Sequence, residues 1–276
     1  MGSEGESKAG RNLPAAILSG VILGALVLVT LFTIKWLFGI LAAAAMVVGV
    51  LELRSALLTR GIRISRWTLV TAVIVSTASA YIWGAVGLIA VLGMTVILTM
   101  VLRLRDGVEG YVRDVSATAF VAVYLPFMVG FVMVMLRSED GPERVLAFIL
   151  LTVGNDIGGY VAGVLFGRHP IAPSISPKKS WEGLGGSLVL QSALGAVSFI
   201  WLLDGRWWQG IVAGIVLTIT ATAGDFAESA LKRDLGVKDM GSFLPGHGGM
   251  MDRLDSLIPN AFAAWLVFGI LLGFPA

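Results

Sequence analysis

Apolar and polar positions along this chain do not alternate; they come in blocks. Nine apolar blocks stand out, at about residues 13–34, 36–51, 68–83, 85–102, 115–136, 145–166, 185–203, 208–224 and 257–274. Most approach the roughly 20 residues that a helix needs to cross a hydrocarbon core at about 1.5 Å per residue. The second, third and eighth are short and must borrow flanking residues. The division between the first two rests on Lys35, and that between the third and fourth on Gly84 and Gly87. No block shows the period-two alternation of a membrane β-barrel. Lipid offers no partner to backbone amides, so the remaining solution is a bundle of helices. The pattern therefore predicts an all-α fold, a polytopic integral membrane helical bundle of about nine transmembrane helices.

Composition agrees with the pattern. The chain is 57% hydrophobic and 14% charged, with a mean hydropathy of +0.88, against roughly a quarter charged residues in soluble domains. The position of the charges adds an orientation. Sixteen of the twenty Lys and Arg residues fall in the tail and in alternate connections, at 8–11, 54–66, 103–113, 168–179 and 232–253. Lys35, Arg137, Arg144 and Arg206 fall in the others. Excess Lys and Arg mark the cytoplasmic side, which puts the N-terminus and residues 224–256 inside and the C-terminus outside. Residues 1–12 read as a disordered cytoplasmic tail. Its Met-Gly start does not suit myristoylation, because Glu6 stands where Ser or Thr is needed. The first block is too long for a cleaved signal peptide, and further spans follow it.

Charge and cysteine usage remove other classes. A net charge of +2 gives no argument for nucleic acid, and none is expected as a partner. With no cysteine there is no disulfide, thiol nucleophile or cysteine metal site, and two histidines exclude a histidine-rich zinc site. Trp36, Trp67, Trp83, Trp207, Trp208 and Trp265 fall mostly near block ends and read as interfacial anchors.

One polar stretch stands apart, from Gly224 to Ser256. Its 33 residues hold Asp225, Glu228, Asp234, Asp239, Asp252 and Asp255, the bases Lys232, Arg233, Lys238 and Arg253, and His247. Asp225, Glu228, Ser229 and Lys232 have i, i+3, i+4, i+7 spacing and share one face of a helix. Asp252 and Asp255 would also project together. Between them, Leu244-Pro-Gly-His-Gly-Gly249 is too rich in Gly and Pro to be helical. Its backbone amides could approach a phosphate closely. Paired carboxylates suit Mg²⁺, and lysines beside a glycine turn suit phosphates. The combination points to phosphoryl or nucleotidyl transfer; a solvated loop between two helices is the plainer alternative.

A second stretch carries related chemistry. The sixth block is interrupted by Asn155-Asp156, and a carboxylate at that depth should face the bundle interior or a wet cavity. Gly154, Gly158, Gly159 and Gly163 would let another helix approach closely. The following segment, Gly167 to Gly186, contains three prolines and reads as a loop. Its Ser176-Pro-Lys-Lys-Ser180 places two bases beside hydroxyls, as phosphate binding would require, although a topology-setting loop explains the lysines too. His169 reads as a surface residue. His247 either bonds a phosphate or braces its turn. The basic segment Arg54 to Arg66 suits anionic headgroups, and topology explains it equally well.

The run Ser229-x-Leu-Lys-Arg233, Lys238-Asp239, Leu244-Pro-Gly-His-Gly-Gly249 and Asp252-Arg-Leu-Asp255 resembles the signature of the phosphatidate cytidylyltransferases, or CDP-diacylglycerol synthases. Asn155-Asp156, Tyr160, Gly163, Phe166-Gly167, Ser176-Pro-Lys-Lys-Ser180 and Glu182-Gly183 are similar to a second region of that family. The resemblance implies that CTP and phosphatidic acid give CDP-diacylglycerol and pyrophosphate. It implies Mg²⁺ with K⁺ as a companion cation. Asp225, Asp252 and Asp255, with Asp156, are then the metal candidates, and Asp225, Lys232, Asp252 and Asp255 the catalytic set. Lys178, Lys179, Ser180, Arg233, Lys238, His247, Gly248 and Gly249 are the substrate-binding candidates. On this reading residues 13–136 are N-terminal transmembrane helices and 137–276 the C-terminal transmembrane catalytic region of a single membrane domain. The expected location is the inner or plasma membrane, with the site facing the cytoplasm. Expected partners are CTP, phosphatidic acid and membrane lipids, with a homodimer left open. Two other readings remain: a CTP-dependent polyprenol or dolichol-type lipid kinase, which would release CDP, and a transporter using Asp156 and Asp225 as intramembrane acids.

Overall fold

The computed structural model describes residues 13–241 and 249–274. It is almost entirely helical: α1 (Leu13–Thr33), α2 (Lys35–Leu58), α3 (Arg66–Arg103), α4 (Tyr111–Ala122), α5 (Met128–Leu136), α6 (Gly141–Phe166), α7 (Trp181–Trp201), α8 (Trp207–Leu235), α9 (Met251–Leu254) and α10 (Leu257–Leu272). A π-helical turn, Val123–Phe127, joins α4 to α5 around Pro126. Among the described residues, seven continuous helical stretches are long and apolar enough to cross a membrane.

The two weakest divisions of the sequence both have structural counterparts. Ile34 is extended between α1 and α2, and the Lys35 ammonium donates to the Ser138 carbonyl at 2.6 Å. Within α3, Gly84 has φ 65°, ψ −147°, outside the helical region and open to glycine without a Cβ penalty. Gly87 packs directly against the backbone of Ser79. Eight residues of unbroken helix would separate those two by about 12 Å, so α3 folds back on itself as a hairpin at Gly84.

The two ends of the bundle are fastened differently. At one, Lys35 meets Ser138, Gly84 lies against Arg137, Arg144 donates to the Gly273 carbonyl at 3.0 Å, and Gln209 donates to the Leu271 carbonyl at 2.6 Å. At the other, the Arg60 side chain donates to the Leu235 carbonyl, and the Arg63 amide to Asp114. Two hydrophobic clusters lie along the axis between them. One holds Leu31, Phe38, Phe131–Leu136, Phe199 and Phe268; the other holds Met46, Val50, Leu53, Leu125, Leu235, Met251 and Ile258. Each draws on both halves of the chain. Trp265 is half-buried, its ring against Phe131 and Phe274. The Trp36, Trp67, Trp83 and Trp207 rings are exposed.

Three helices in the C-terminal half pack backbone to backbone. Gly158 of α6 meets Gly186 of α7, and Gly195 of α7 meets Gly210 of α8. The missing side chains let the axes approach, as the glycines of the sixth block suggested. Two boundaries differ from the hydropathy pattern. The segment after α6 is a β-hairpin, β1 (Pro170–Ala172) antiparallel to β2 (Ser176–Ser180), and α7 starts at Trp181. Each strand is an edge, where proline is tolerated. Ser180 caps α7, its hydroxyl accepting from the Gly183 amide at 3.1 Å. Helix α8 continues past the apolar block to Leu235, where Gly236 closes it with φ 72°. Apolarity reports burial in lipid or core, while the helix itself runs on as long as its amides are paired.

Candidate active site

Four elements converge at the end of the bundle that carries the β-hairpin. The extension of α8 presents Asp225, Glu228 and Lys232 on one face, as their spacing predicted. Lys179 at the end of β2 forms an ion pair with Asp225 and lies 5.2 Å from the Phe226 ring centre. Lys232 bridges two acids, Glu228 at 2.5 Å and Asp252 at 2.7 Å. Asp252 is further held by the amides of Met240 at 3.0 Å and Gly249 at 3.1 Å. Asp255 lies within electrostatic reach of Asp225, Glu228 and Asp156, and its Oδ1 accepts from the Ser256 amide at 2.8 Å. Asp225 itself is set where Gly224 packs against the Asp255 carbonyl and Pro259.

A cleft of about 360 Å³ opens beside this group. Its walls are Asn155, Asp156, Gly159 and Tyr160 of α6, Ile171, Lys178, Lys179 and Ser180 of the hairpin, Gly183, Leu184 and Ser187 of α7, and Thr222 and Asp225 of α8. Asp156 and Tyr160 are exposed on the flank of the bundle. The cleft therefore joins the acidic group to the side of the molecule. Its floor is tied by the Ser187 hydroxyl, which donates to the Asn155 carbonyl at 2.7 Å.

The structure brings Asp225, Lys232, Asp252, Asp255, Asp156, Lys178, Lys179 and Ser180 to this one end. Arg233 is exposed and donates to the Ile175 carbonyl, so it braces the hairpin. Lys238 is exposed beyond α8 and does not line the cleft. The Gly249 amide, expected to face a phosphate, is taken up by Asp252. His247 and Gly248, like the tail at 1–12, lie outside the described residues. His169 is exposed, as expected of it, but has a partner thirteen positions further along the chain. Its Nδ1 lies 2.5 Å from Glu182, whose other oxygen accepts the Arg168 and His169 amides.

Three residues outside the expected set belong to the site or support it. Glu228 is 1% exposed and, apart from its ion pair with Lys232, has no hydrogen bond. Its i+3 spacing from Asp225 was the signal that could have found it. The buried Tyr124 hydroxyl, on the π-turn, has no hydrogen-bond partner and lies in the field of Glu228, Asp255 and Asp225. Glu52 reaches in from α2. Neither has a local sequence signal, because both come from the other half of the chain.

Among the described residues, no three acidic or histidine groups enclose a metal-sized point. Lys179 and Lys232 stand against the oxygens of Asp225 and Asp252 in their place. The donor set nonetheless fits a hard divalent cation: all of it is carboxylate oxygen, and Glu228 has an oxygen that no group satisfies.

The model of the cytidylyltransferase family matches residues 14–271. The chain belongs to the cytidylyltransferase family. It is 39% identical over 280 residues to the phosphatidate cytidylyltransferase of Mycobacterium leprae, covering 96% of this chain and 90% of that protein. It is 38% identical over 283 residues to that of Mycobacterium bovis, covering 96% and 91%. To the phosphatidate cytidylyltransferase of Helicobacter pylori strain 26695 it is 37% identical over 141 residues, 50% of this chain and 53% of that one.

Proposed function

We infer that this chain is a CDP-diacylglycerol synthase, a membrane nucleotidyltransferase that converts CTP and phosphatidic acid into CDP-diacylglycerol and pyrophosphate in phospholipid synthesis. The observation that carries the reading is the acidic group of Asp225, Glu228, Asp252 and Asp255, faced by Lys179 and Lys232, at a cleft that opens on the bundle's flank. Near-full-length similarity to phosphatidate cytidylyltransferases supports the substrates.

In the reaction an oxygen of the lipid phosphate attacks the α-phosphorus of CTP. The bond from that phosphorus to the bridging oxygen breaks, and pyrophosphate leaves with the electron pair. A phosphate monoester is already largely ionised near neutral pH, so no strong base is required. Both reactants are anions, and the protein's task is alignment and charge neutralisation. Asp225, Asp252 and Asp255, with Asp156 lining the cleft, would hold Mg²⁺, and a companion K⁺ follows from the family resemblance. Bound divalent metal would offset the phosphate charge and polarise the P–O bonds. Lys179 and Lys232, now paired with the acids, would turn to the phosphates when cation takes the carboxylates. Lys178 and Ser180 face the same cleft, and Arg233 keeps the hairpin against α8. The exposed flank at Asp156 and Tyr160 suits a substrate arriving from the bilayer.

The topology proposed with this has nine crossings, counting the α3 hairpin as two. The N-terminus and the site face the cytoplasm at the cell membrane, on the strength of the Lys and Arg distribution. Self-association as a homodimer belongs to the same proposal, and light scattering of the detergent-solubilised protein tests it.

The deciding experiment uses purified protein, labelled CTP, phosphatidic acid vesicles and Mg²⁺. Pyrophosphate and CDP-diacylglycerol are expected only when all three are present, and excess chelator should stop turnover. Release of CDP in place of pyrophosphate would instead establish a lipid kinase.

A further inference from the structure

The N-terminal half sends one acid into the catalytic end. Glu52 lies near the end of α2, 9% exposed, and its Oε2 accepts from the Met251 amide at 2.9 Å across 199 positions of sequence. Met251 opens α9, the short helix that bears Asp252. The first amides of a helix have no partner within it and need an external acceptor. The residue at the cap position, Met250, supplies none. Gly241 and Gly249 press on the same carboxylate so closely that a side chain on either would overlap it. Gly49, one turn earlier on α2, packs against the Met251 side chain. Glu52 thus touches Gly241, Gly249 and the start of the segment bearing two of the proposed cation ligands.

We propose that Glu52 is a positioning residue for the active site: it caps α9 from another helix and so fixes where Asp252 and Asp255 point. The α8 acids are anchored by their own long helix. Asp252 lies within a four-residue helix and Asp255 directly follows it, so both need this outside support. What Glu52 supplies is reach and an acceptor oxygen. Its charge is not what orients Met251, because any well-placed carbonyl would accept the same amide. The proposal rests on the reading of Asp252 as a catalytic group.

The order of three variants tests it. Glu52→Ala removes the acceptor; Glu52→Asp keeps the charge and shortens the arm by one methylene; Glu52→Gln keeps the arm and an acceptor oxygen without charge. Turnover of Ala and Asp variants should fall at least ~10-fold, since an ångström of misplacement costs up to about 100-fold, with KM for CTP within about threefold. The Gln variant should recover to within about threefold of wild type. Hydrogen exchange of the metal-free protein gives a second readout. The Met251 region should lose protection in the Ala and Asp variants, while α6 and α7 keep theirs. The opposite order, with Asp active and Gln inactive, would mean that the charge acts directly and overturns the proposal. So would lower yield or thermal stability with unchanged turnover per folded molecule. Should Glu52→Ala fail to fold, Asp against Gln still decides. If Asp252→Asn proves active, the catalytic reading fails, while exchange at Met251 still reports on the cap.

Discussion

Two buried carboxylates near the same end of the bundle, each 1% exposed, live in opposite circumstances. Asp114, in the first turn of α4, is saturated: Arg103 at 3.0 Å, Arg113 at 3.1 Å and the Arg63 amide at 3.1 Å surround it. Arg103 is itself completed by the Gly107 and Glu109 carbonyls. Glu228 has Lys232 alone, shares it with Asp252, and faces further acids. Desolvating a charge is costly unless its hydrogen bonds are replaced. Asp114 meets that condition and ties the loop after α3 to the loop before it. Glu228 does not, and the fold tolerates the deficit at the group of acids proposed as the active site. A buried charge by itself marks nothing; its unfinished coordination does.

The largest effect should come from the acid that the proposed cation needs most. Asp252→Asn keeps size and a side-chain oxygen to accept the Met240 and Gly249 amides, and is expected to cut pyrophosphate release at least ~100-fold without lowering the melting temperature in detergent. Near-normal turnover would falsify its assignment as a ligand. Next, Glu228→Gln should cost about 10–100-fold in turnover, yet leave thermal stability equal or higher, because it removes an under-satisfied buried charge. Lys179→Met should cost on the order of 10-fold, the usual scale for one charge-assisted contact, and show as a rise in KM for a phosphate-bearing substrate. If stability changes and kinetics do not, Lys179 serves only to fasten the hairpin.

Asp114→Asn is the counterpart. It strands Arg103 and should lower stability by about 3 kcal/mol, with turnover per folded molecule within about twofold of wild type. If Asp114→Asn and Glu228→Gln affect activity alike, the distinction between saturated and unsaturated burial breaks down. The smallest effect is reserved for labelling. Single cysteines at the exposed positions Glu139 and Asp239 should leave activity unchanged, and an impermeant thiol reagent should reach Glu139→Cys alone in intact cells. Labelling at Asp239→Cys under those conditions would invert the proposed topology.

Much of this molecule could be read along the chain. Membrane helices, the break at Gly84 and the shared face of Asp225, Glu228 and Lys232 follow from local rules: apolar length, glycine backbone freedom and the 3.6-residue turn. The spacing of Ser229 to Asp255 carried the family likeness for the same reason, since every position in it lies within one or two turns or loops of its neighbour. The sequence also marked Asp156 and the Lys178–Lys179 pair as polar residues out of place in an apolar chain. What it could not supply were pairings between distant segments. Nothing near Lys179 in sequence names Asp225, and nothing near Glu52 names Met251; a β-hairpin and the α2 packing decide those contacts. Hydrophobic blocks tell how far a helix can lie in lipid, because transfer free energy adds residue by residue. Which carboxylate is left short of partners depends on where whole helices stop against one another, and only the packed bundle fixes that.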